Sequence, residues 1–424
     1  MEYRYRDASE MKDSGVEWIG KIPKDWEICK VKYLCNIKSG EILSKTYFED
    51  KGIYPIYGSN GIIGRTNKKN NSNKAIIIGR VGACGEVNIA KEGWITDNAL
   101  ILGINYRKVN FSYMAYVLKS CNLKDLSSGT AQPLITGSQI KNIQVLSIDI
   151  KKQEKIANFL DKKTSQFDSI ISKKEALIEK LEEAKKSLIS EVVTGKVKIV
   201  KTDDGYDLVK RSSDEMKDSG VEWVKEIPKH WDVINPKWMF SQRKDRAQEG
   251  DEQLTASQKH GIISQNDFME LENQKVVLVE KDFSILKHVE PNDFVRSMRS
   301  FQGGLEYSTI KGCISSAYVM LIPNERVYAP FFRWLFKSYK YINALQSTSN
   351  LIRDGQAMRY SNFIQIPLFK ISKDEQKKLA DYLDEAISNI DIILCNTRVQ
   401  IKKLKEAKQS LISEAVTGKI EILD

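Results

Sequence analysis

The stretch MKDSGVEWIGKIPKDW, Met11 to Trp26, occurs a second time as MKDSGVEWVKEIPKHW, Met216 to Trp231, with twelve of sixteen positions identical. A second pair of near-copies is KLEEAKKSLISEVVTGKVKI, Lys180 to Ile199, and KLKEAKQSLISEAVTGKIEI, Lys403 to Ile422. Agreement on this scale indicates an internal repeat. Because the offset grows from about 205 to about 223 residues, each copy has similar ends and a variable middle.

Length and composition predict a multi-domain globular protein. The chain has 424 residues, of which 41% are hydrophobic and 29% charged, an ordinary balance for chains that bury cores. We find no apolar run long enough to span a bilayer and no signal-peptide core in the polar start MEYRYRDASE, so we expect a cytosolic protein without membrane contact.

Charge favours an acidic partner such as nucleic acid. The formal net charge is +10, and residues 1–150 hold 21 Lys and Arg against 15 Asp and Glu. The thiols lack metal-ligand spacing and only three histidines accompany them, so we expect reduced thiols and no metal site. The six cysteines are Cys29, Cys35, Cys84, Cys121, Cys313 and Cys395.

After each variable middle the periodicity becomes that of a long helix, with apolar residues alternating at three and four positions as in a coiled-coil seam. The predicted seam of the first helix is Leu160, Phe167, Ile170, Leu177, Leu181, Ala184 and Leu188; that of the second is Leu383, Ile390, Ile393, Leu404, Ala407 and Leu411. Lys174 and Thr397 interrupt these seams at equivalent places, and Gln400 takes the place of Leu177. Gly195 and Gly418 suit the left-handed position after the last turn.

The two helices are expected to pair with each other in antiparallel orientation. DASEMKDSGVEW at the N-terminus matches SSDEMKDSGVEW after the first helix, as expected if the C-terminus returns near the N-terminus. We therefore predict an α+β protein with a pseudo-twofold repeat: two similar mixed α/β domains, residues 1–150 and 201–372, and two spacer helices, 151–200 and 373–424.

The variable middles contain short strands and turns. In the first, YPIYGSNGIIGRTN and AIIIGRVGACGEVNIA predict strands broken by Gly and Asn, and FSYMAYVLKS predicts a helix. In the second, NQKVVLVE, CISSAYVMLIP and the aromatic helix PFFRWLFKSYKYINAL play comparable parts. The sequences suggest one fold with two different surfaces.

Known catalytic patterns are not evident in the sequence. NPKW, Asn235 to Trp238, lacks the second proline of an adenine-methyltransferase tetrapeptide and is interpreted as an ordinary strand entry. GRVGACG, Gly79 to Gly85, lies between two strand-like runs and predicts a turn instead of a dinucleotide site. We find no phosphate loop, Ser-His-Asp pattern or paired carboxylates, so we expect no catalytic residues. Two diverged heads on a rigid spacer of about 60 Å suit the reading of two DNA half-sites.

The duplicated KDSGVEW…IPK segment and the helix ends LISEVVTGK and LISEAVTGK closely resemble the specificity subunit (HsdS) of type I restriction-modification systems, over essentially the whole chain. This resemblance implies two target recognition domains, each reading one half of an asymmetric bipartite DNA site. The helices would set the spacing and dock two methyltransferase subunits, with two restriction/translocase subunits in a complete system. S-adenosylmethionine, ATP and Mg²⁺ would belong to those partners, with no cofactor in this chain.

The family supplies no universal base-contact motif, so DNA-contacting residues are chosen for their chemistry: Arg for guanine, Asn for adenine and Lys for phosphate. In the first head these are Ser59, Asn60, Arg65, Asn67, Lys68, Lys69 and Arg80; in the second they are Arg243, Lys244, Gln258, Lys259, Arg296, Arg299 and Gln302. We interpret the repeated tryptophans Trp18, Trp26, Trp223 and Trp231 as structural anchors where head and helix meet.

Two other interpretations stay open. One is a free-standing scaffold whose heads bind protein, which salt-dependent binding to random duplex DNA would disfavour. The other is the specificity subunit of a fused or methylation-only system.

Overall fold

The computed structural model describes residues 2–127, 133–203, 205–275, 283–296, 304–348 and 359–423. It contains two compact units: Met1–Glu175 with Arg398–Asp424, and Ala176–Thr397. Within the described ranges, no helix combines the length and apolar character that crossing a membrane requires.

The first unit is built mainly of short antiparallel strands. Its strands are β1 (Tyr3–Tyr5), β2 (Met11–Asp13), β3 (Lys21–Pro23), β4 (Glu27–Lys30), β5 (Cys35–Ser39), β6 (Tyr54–Gly58), β7 (Gly61–Thr66), β8 (Ala75–Gly79), β9 (Val87–Ala90), β10 (Trp94–Ile95), β11 (Ala99–Ile104), β12 (Gln144–Ser147) and, at the chain's end, β27 (Ile420–Ile422). Its 3-10 helices are Ala8–Glu10, Val31–Tyr33, Lys45–Tyr47 and Leu123–Leu126.

The second unit contains the remaining strands. They are β13 (Val197–Thr202), β14 (Gly205–Lys210), β15 (Met216–Asp218), β16 (Glu226–Pro228), β17 (Asp232–Ile234), β18 (Phe240–Gln242), β19 (Leu254–Ser257), β20 (Gly261–Ser264), β21 (Lys287–Val289), β22 (Phe294–Arg296), β23 (Glu306–Tyr307), β24 (Gly312–Ile314), β25 (Val319–Pro323) and β26 (Leu368–Lys370). Its 3-10 helices are Ser213–Glu215, Pro236–Trp238 and Phe283–Ile285.

Two of the α-helices are far longer than the others. In chain order the helices are α1 (Phe111–Ser120), α2 (Gly137–Asn142), α3 (Ile150–Val193), α4 (Gln265–Glu272), α5 (Ala329–Lys337), α6 (Tyr339–Ser347), α7 (Tyr360–Phe363) and α8 (Lys373–Val416). Helices α3 and α8 each have 44 residues and correspond to the predicted spacer helices.

Each unit contains a head with the same central sheet. In the first head, residues 35–147, the order is β5-β11-β8-β9; in the second, residues 240–370, it is β18-β25-β22-β23. Both sheets are antiparallel throughout, and a helix follows the second strand of the order in each, α1 after β11 and α5 after β25. The expectation of one fold behind two different surfaces is confirmed.

The chain ends meet in the first unit. Strand β1 pairs antiparallel with β27, and Tyr5 lies opposite Ile420. In the second unit the equivalent pair is the hairpin β13–β14, where Lys210 lies opposite Val197. The C-terminus therefore returns to the N-terminus as predicted.

The junction between head and helix is built identically in both units. Gly195 and Gly418 adopt left-handed backbone conformations with φ of 68° and 73°. A Cβ atom at Gly195 would lie 2.9 Å from the Trp231 ring, and one at Gly418 would lie 2.7 Å from the Trp26 ring. Both glycines are thus required for the turn and for close packing, which confirms the predicted cap and the role of these tryptophans as anchors.

The outer pair of tryptophans is tied to the backbone. Trp18 Nε1 donates to the Gln144 carbonyl at 3.2 Å, and Trp223 Nε1 donates to the Pro367 carbonyl at 3.3 Å. These bonds join the repeated N-terminal segment of each unit to the strand or turn that precedes its long helix, as the structural interpretation of the four tryptophans expects.

The helices pair antiparallel. In the first unit Asp168 accepts from Lys408 Nζ at 2.6 Å, and Lys174 Nζ donates to Gln400 at 2.7 Å. The later residue of α3 thus pairs with the earlier residue of α8, which is an antiparallel register. In the second unit Lys185 donates to Asp391 at 2.6 Å. Shifted by 223 residues, the Lys185–Asp391 pair becomes the Lys408–Asp168 pair, so each unit contains the same ion pair.

The predicted seam is wrong at one of its two positions per heptad. Ile170, Leu177 and Ile393 are 44%, 43% and 47% exposed, and Ala184 and Ala407 are also exposed. The residue one place further along each helix is the one that turns inward: Ile171 is 6% exposed and Leu394 is 4%.

The seam that forms alternates spacings of four and three without a break. On α3 it consists of Leu160, Thr164, Phe167, Ile171, Lys174, Ile178, Leu181, Lys185, Leu188 and Val192; on α8 it consists of Leu383, Ile387, Ile390, Leu394, Thr397, Ile401, Leu404, Lys408, Leu411 and Ala415. Lys185 and Lys408 sit within this seam half-buried because their aliphatic stems pack inward while their ammonium groups reach the aspartates.

Two local predictions also need correction. The aromatic segment after Pro330 forms two helices, α5 and α6, because Ser338 is extended (φ −68°, ψ 139°) and its hydroxyl accepts from Tyr341 N. NPKW is a 3-10 turn in which Asn235 Oδ1 accepts from Lys237 N at 3.0 Å, and the strand begins only at Phe240. Most of NQKVVLVE lies outside the described residues.

The observed seam predicts unequal effects at neighbouring isoleucines. Ile171→Ala should lower the free energy of unfolding by about 2 kcal/mol or more, because it removes buried methyl groups from the helix pair. Ile170→Ala should change it by less than about 0.5 kcal/mol, because Ile170 faces solvent. Chemical denaturation of the full chain measures both, and equal losses would contradict the seam.

Candidate nucleic-acid interface

The first head exposes a hairpin whose turn contains two of the predicted DNA contacts. Strands β6 and β7 are joined by Ser59 and Asn60, with Gly58 opposite Gly61, whose φ is 99°. The glycine accommodates the positive φ that this tight turn requires. Asn60 is exposed and Ser59 is half-buried, so the hairpin presents a short polar tip.

The predicted glycine turn lies against this tip. A Cβ atom at Gly79 would lie 2.6 Å from the Ser59 carbonyl oxygen, so only glycine permits the contact. Arg80 follows: its backbone N–H donates to the Asn98 carbonyl at 2.8 Å and its Nη1 donates to Ser39 Oγ at 3.4 Å. The structure thus brings Ser59, Asn60 and Arg80 together, and GRVGACG forms the turn that the sequence predicts.

The other polar candidates of this head brace the hairpin. Arg65 donates to the carbonyls of Gly52 at 2.6 Å and Ile53 at 2.7 Å, and Asn67 Oδ1 accepts from Ile53 N at 3.2 Å. Lys69 pairs with Glu92 at 2.5 Å, while the Lys68 ammonium lies 3.3 Å from the centre of the Tyr47 ring. Each of these side chains already has a partner, and Lys68 and Lys69 still have exposed side chains beside the hairpin.

The second head exposes a hairpin of different chemistry. Strands β19 and β20 are joined by a turn that contains Gln258, Lys259 and His260. Glu272 on α4 accepts from both Lys259 Nζ and His260 Nε2 at 2.7 Å. The hydrogen bond from Lys259 lowers the pKa of Glu272 the most, and the hydrogen bond from His260 lowers it further. Gln258 remains exposed at the tip.

Arg243 belongs to a partly buried ion network. Its Nε donates to Asp293 at 2.6 Å and its Nη1 to Asp245 at 2.8 Å. Burial raises the pKa of Asp293 even though the Arg243 bond opposes it. Arg243 therefore holds the β18 end against the Asp293 turn, whereas its neighbour Lys244 is exposed.

Arg296 is 7% exposed at the end of β22, and its Nη1 has no hydrogen-bond partner among the described residues. Desolvation lowers its pKa to about 10. In the second head Arg296 lies opposite Val319 in the strand pairing. The equivalent pair in the first head is Ile78 and Leu100, so an isoleucine takes the place of Arg296 there. Arg299 and Gln302 lie outside the described residues.

Two buried glutamines have a structural role that was not predicted from the sequence. Gln153 Oε1 accepts from Asn110 N at 2.9 Å while its Nε2 donates to the Lys108 carbonyl at 3.0 Å. Gln376, 223 residues later, accepts from Tyr328 N at 2.6 Å and donates to the Arg326 carbonyl at 2.9 Å. Each fully bonded side chain fixes the first turn of a long helix to its head. The repeat offers a signal for this role, because Gln153 and Gln376 occupy equivalent positions, 223 residues apart, on the inward face of the two long helices.

A buried histidine that bonds two carboxylates stabilises the second head. His288 is 1% exposed, and its two ring nitrogens lie 2.7 Å from Asp251 Oδ2 and 2.7 Å from Glu290 Oε1. Burial alone would lower the pKa of His288, but the hydrogen bonds and charges of the two carboxylates outweigh it, so the pKa is raised above its ordinary 6.5.

This arrangement predicts a pH-dependent contribution to stability. Because the folded-state pKa is raised, charged His288 stabilises the fold fully below about pH 6.5, and the contribution is lost as pH rises through the folded value. The difference in Tm between the wild-type chain and His288→Gln should therefore be larger at pH 6 than at pH 8. Thermal unfolding at both values tests this, and a constant difference would contradict it.

Metal and thiol chemistry find little support among the described residues. No group of three or more His, Cys, Asp and Glu side chains in those ranges could hold a metal ion. Four of the cysteines are buried, and burial raises the pKa of the Cys35 thiol to about 12 and of Cys313 to about 11. The prediction that the thiols are mostly buried is confirmed.

Two like-folded heads with unlike exposed hairpins, each attached to a paired long helix, define a two-headed binding protein. Comparison with known proteins agrees: residues 23–183 match the family described as type I restriction modification DNA specificity domain. The chain is similar to specificity subunits of type I restriction-modification systems, and the family match lies within residues 23–183.

Individual relatives cover different shares of the chain. The Escherichia coli type I restriction enzyme EcoprrI specificity subunit is 30% identical over 169 residues, 39% of this chain and 41% of that protein. The putative MjaX specificity subunit of Methanocaldococcus jannaschii is 23% identical over 444 residues, 95% of this chain and 96% of that protein. The chain thus spans about two fifths of the length of the Escherichia coli relative and nearly the full length of the Methanocaldococcus jannaschii relative.

Solved structures share the fold at low identity. The HsdS subunit of Thermoanaerobacter tengcongensis aligns with a TM-score of 0.50 at 12% identity, covering 96% of this chain and all of that one. A chain from a structural study of complex assembly and conformational transition of the type I R-M system aligns with a TM-score of 0.65 at 12% identity, covering 94% and 99%.

Proposed function

We propose that this chain is the DNA-specificity subunit of a type I restriction-modification complex. Each head reads one half of an asymmetric bipartite site, and the paired helices set the distance between the halves. The observation that carries this proposal is one sheet order in both heads with different side chains on their hairpins. Like folds permit equivalent docking on DNA, while unlike side chains select different bases.

Basic charge supports duplex DNA as the ligand. The chain has a formal net charge of +10, and the first head presents Lys68 and Lys69 beside its hairpin. Lysine ammonium groups contact phosphate and orient a protein on the duplex without selecting sequence. The polar residues best placed to contact base edges are Ser59, Asn60 and Arg80 in the first head and Gln258 in the second, while exposed Lys244 suits phosphate.

Partner subunits supply the chemistry in this proposal. Two methyltransferase subunits dock on the outward faces of α3 and α8, where Ile170, Leu177 and Ile393 are exposed. Those subunits bind S-adenosylmethionine and methylate adenine, and two restriction/translocase subunits add ATP- and Mg²⁺-dependent cleavage in a complete system. The chain itself is non-catalytic and acts in the cytoplasm, where its DNA lies.

The proposal predicts that specificity moves with a head. Replacing residues 36–149, which end just before α3 at Ile150, with the same segment of another specificity subunit should change one half of the methylated sequence. The other half and the spacing should persist, because the helices and the second head are untouched. Sequencing methylated adenines in cells that express the chimera measures this.

A reciprocal chimera is the matched control. Replacing residues 241–372 in the second head should change the opposite half-site alone. If either chimera altered both halves, or left both unchanged while methylation persisted, the assignment of one half-site to each head would be wrong.

A further inference from the structure

The most exposed large aliphatic side chains of the first unit are concentrated in one short segment. Ile42, Ile53, Ile62 and Ile63 are 78%, 67%, 63% and 53% exposed. Large apolar side chains gathered at a surface usually mark a contact with another molecule. Three of these isoleucines belong to the β6–β7 hairpin or directly precede it.

A β-bulge explains why consecutive isoleucines both face solvent. Ile56 lies opposite Gly64 but Tyr57 lies opposite Ile62, so Ile63 is the extra residue of β7. Bulges redirect side chains that regular alternation would place on opposite faces. Ile63 folds back over Gly58, where a Cβ atom would lie 2.9 Å from its Cγ2 atom. The bulge therefore holds Ile62 and Ile63 at the hairpin tip next to Asn60.

The hairpin is held rigidly. Arg65 donates to the carbonyls of Gly52 and Ile53, and Asn67 accepts from the Ile53 N–H. Phe48 packs on Gly64, where a Cβ atom would lie 3.0 Å from its ring. Arg65 and Asn67 thus secure the hairpin, and next to its polar turn, Ser59 and Asn60, the exposed side chains of Ile62 and Ile63 are aliphatic.

We propose that the β6–β7 hairpin enters the DNA major groove and that Ile62 and Ile63 contact the C5-methyl group of thymine. This inference rests on the proposed function and specifies the base chemistry of the first half-site. The major groove is wide enough for a two-stranded β-ribbon. Among the groups that base edges present there, the thymine methyl is the apolar one, so it is the complement that exposed isoleucines require.

Charge around the hairpin favours DNA as the occupant. Residues 41–74, which contain the hairpin and its flanks, hold six Lys and Arg against three Asp and Glu, and Lys45, Lys51 and Lys68 are exposed there. Lysines beside a hairpin with exposed isoleucines suit phosphates on either side of a groove. In the second head the corresponding turn carries Gln258 and Lys259, so thymine methyl contact is assigned to the first head alone.

The test uses the full chain and duplexes that carry the genomic methylation motif. Each thymine of the first half-site is replaced singly by deoxyuridine, which lacks only the methyl group, and affinity is measured by fluorescence anisotropy. The wild-type chain should lose about fourfold in affinity at one or more thymines, the value of one buried methyl group. Ile62→Ala with Ile63→Ala should bind the thymine duplex more weakly and show no further loss with deoxyuridine.

Ile89→Ala is the matched control, because Ile89 is an exposed isoleucine on β9 of the same head. It should keep both the wild-type affinity and the deoxyuridine effect. Equal wild-type affinity for thymine and deoxyuridine duplexes would overturn the methyl contact, as would an unchanged deoxyuridine effect in the double variant.

A scrambled duplex separates the two proposals. If the wild-type chain prefers the motif to the scrambled duplex but ignores the methyl group, only the methyl contact is wrong. If it shows no preference for the motif, the proposed function fails and the methyl contact fails with it.

Discussion

The antiparallel pairing of α3 and α8 is the constraint on which the rest of the structure depends. Each helix is 44 residues long and carries an apolar stripe that needs a partner. The first half of α3 pairs with the second half of α8 in one unit, and the remaining halves pair in the other. Neither unit is therefore complete without both halves of the chain.

Polar residues within the seam give the pairing its direction and register. An all-apolar seam tolerates sliding by a heptad, whereas a half-buried lysine needs its carboxylate at one position. Lys185 meets Asp391, and the repeat supplies Lys408 with Asp168. These partly exposed ion pairs add little to stability, so their main effect is to disfavour other registers.

Features fixed by local chemistry could be predicted from the sequence. The repeat gave the helix ends, since VTGK requires a left-handed glycine, and it gave the tryptophan anchors and the return of the chain ends. The predicted seam was wrong because the side chains of Ile170 and Leu177 are more apolar than those of Thr164 and Lys185. Only the structure shows that a lysine stem packs inward when an aspartate on the other helix receives its charge.

The interface was harder to predict because residue type does not reveal what a side chain already binds. Arg65 and Arg243 have suitable chemistry for guanine, yet backbone carbonyls and Asp293 occupy them. Ile62 and Ile63 looked like ordinary strand residues, and the bulge that exposes them depends on pairing with β6. The turn at Gly79 and Arg80 was predicted correctly because a glycine-rich turn follows from backbone geometry.

The most direct test of the central claim is to shorten both helices together. Deleting residues 174–180 and 397–403 removes one heptad from each seam, keeps the four-three alternation and shortens each helix by about 10 Å. Mapping of methylated adenines should show the same two half-sites separated by about three fewer base pairs. Methylation at the original spacing would contradict the account, because the helices would then not set the distance between the half-sites.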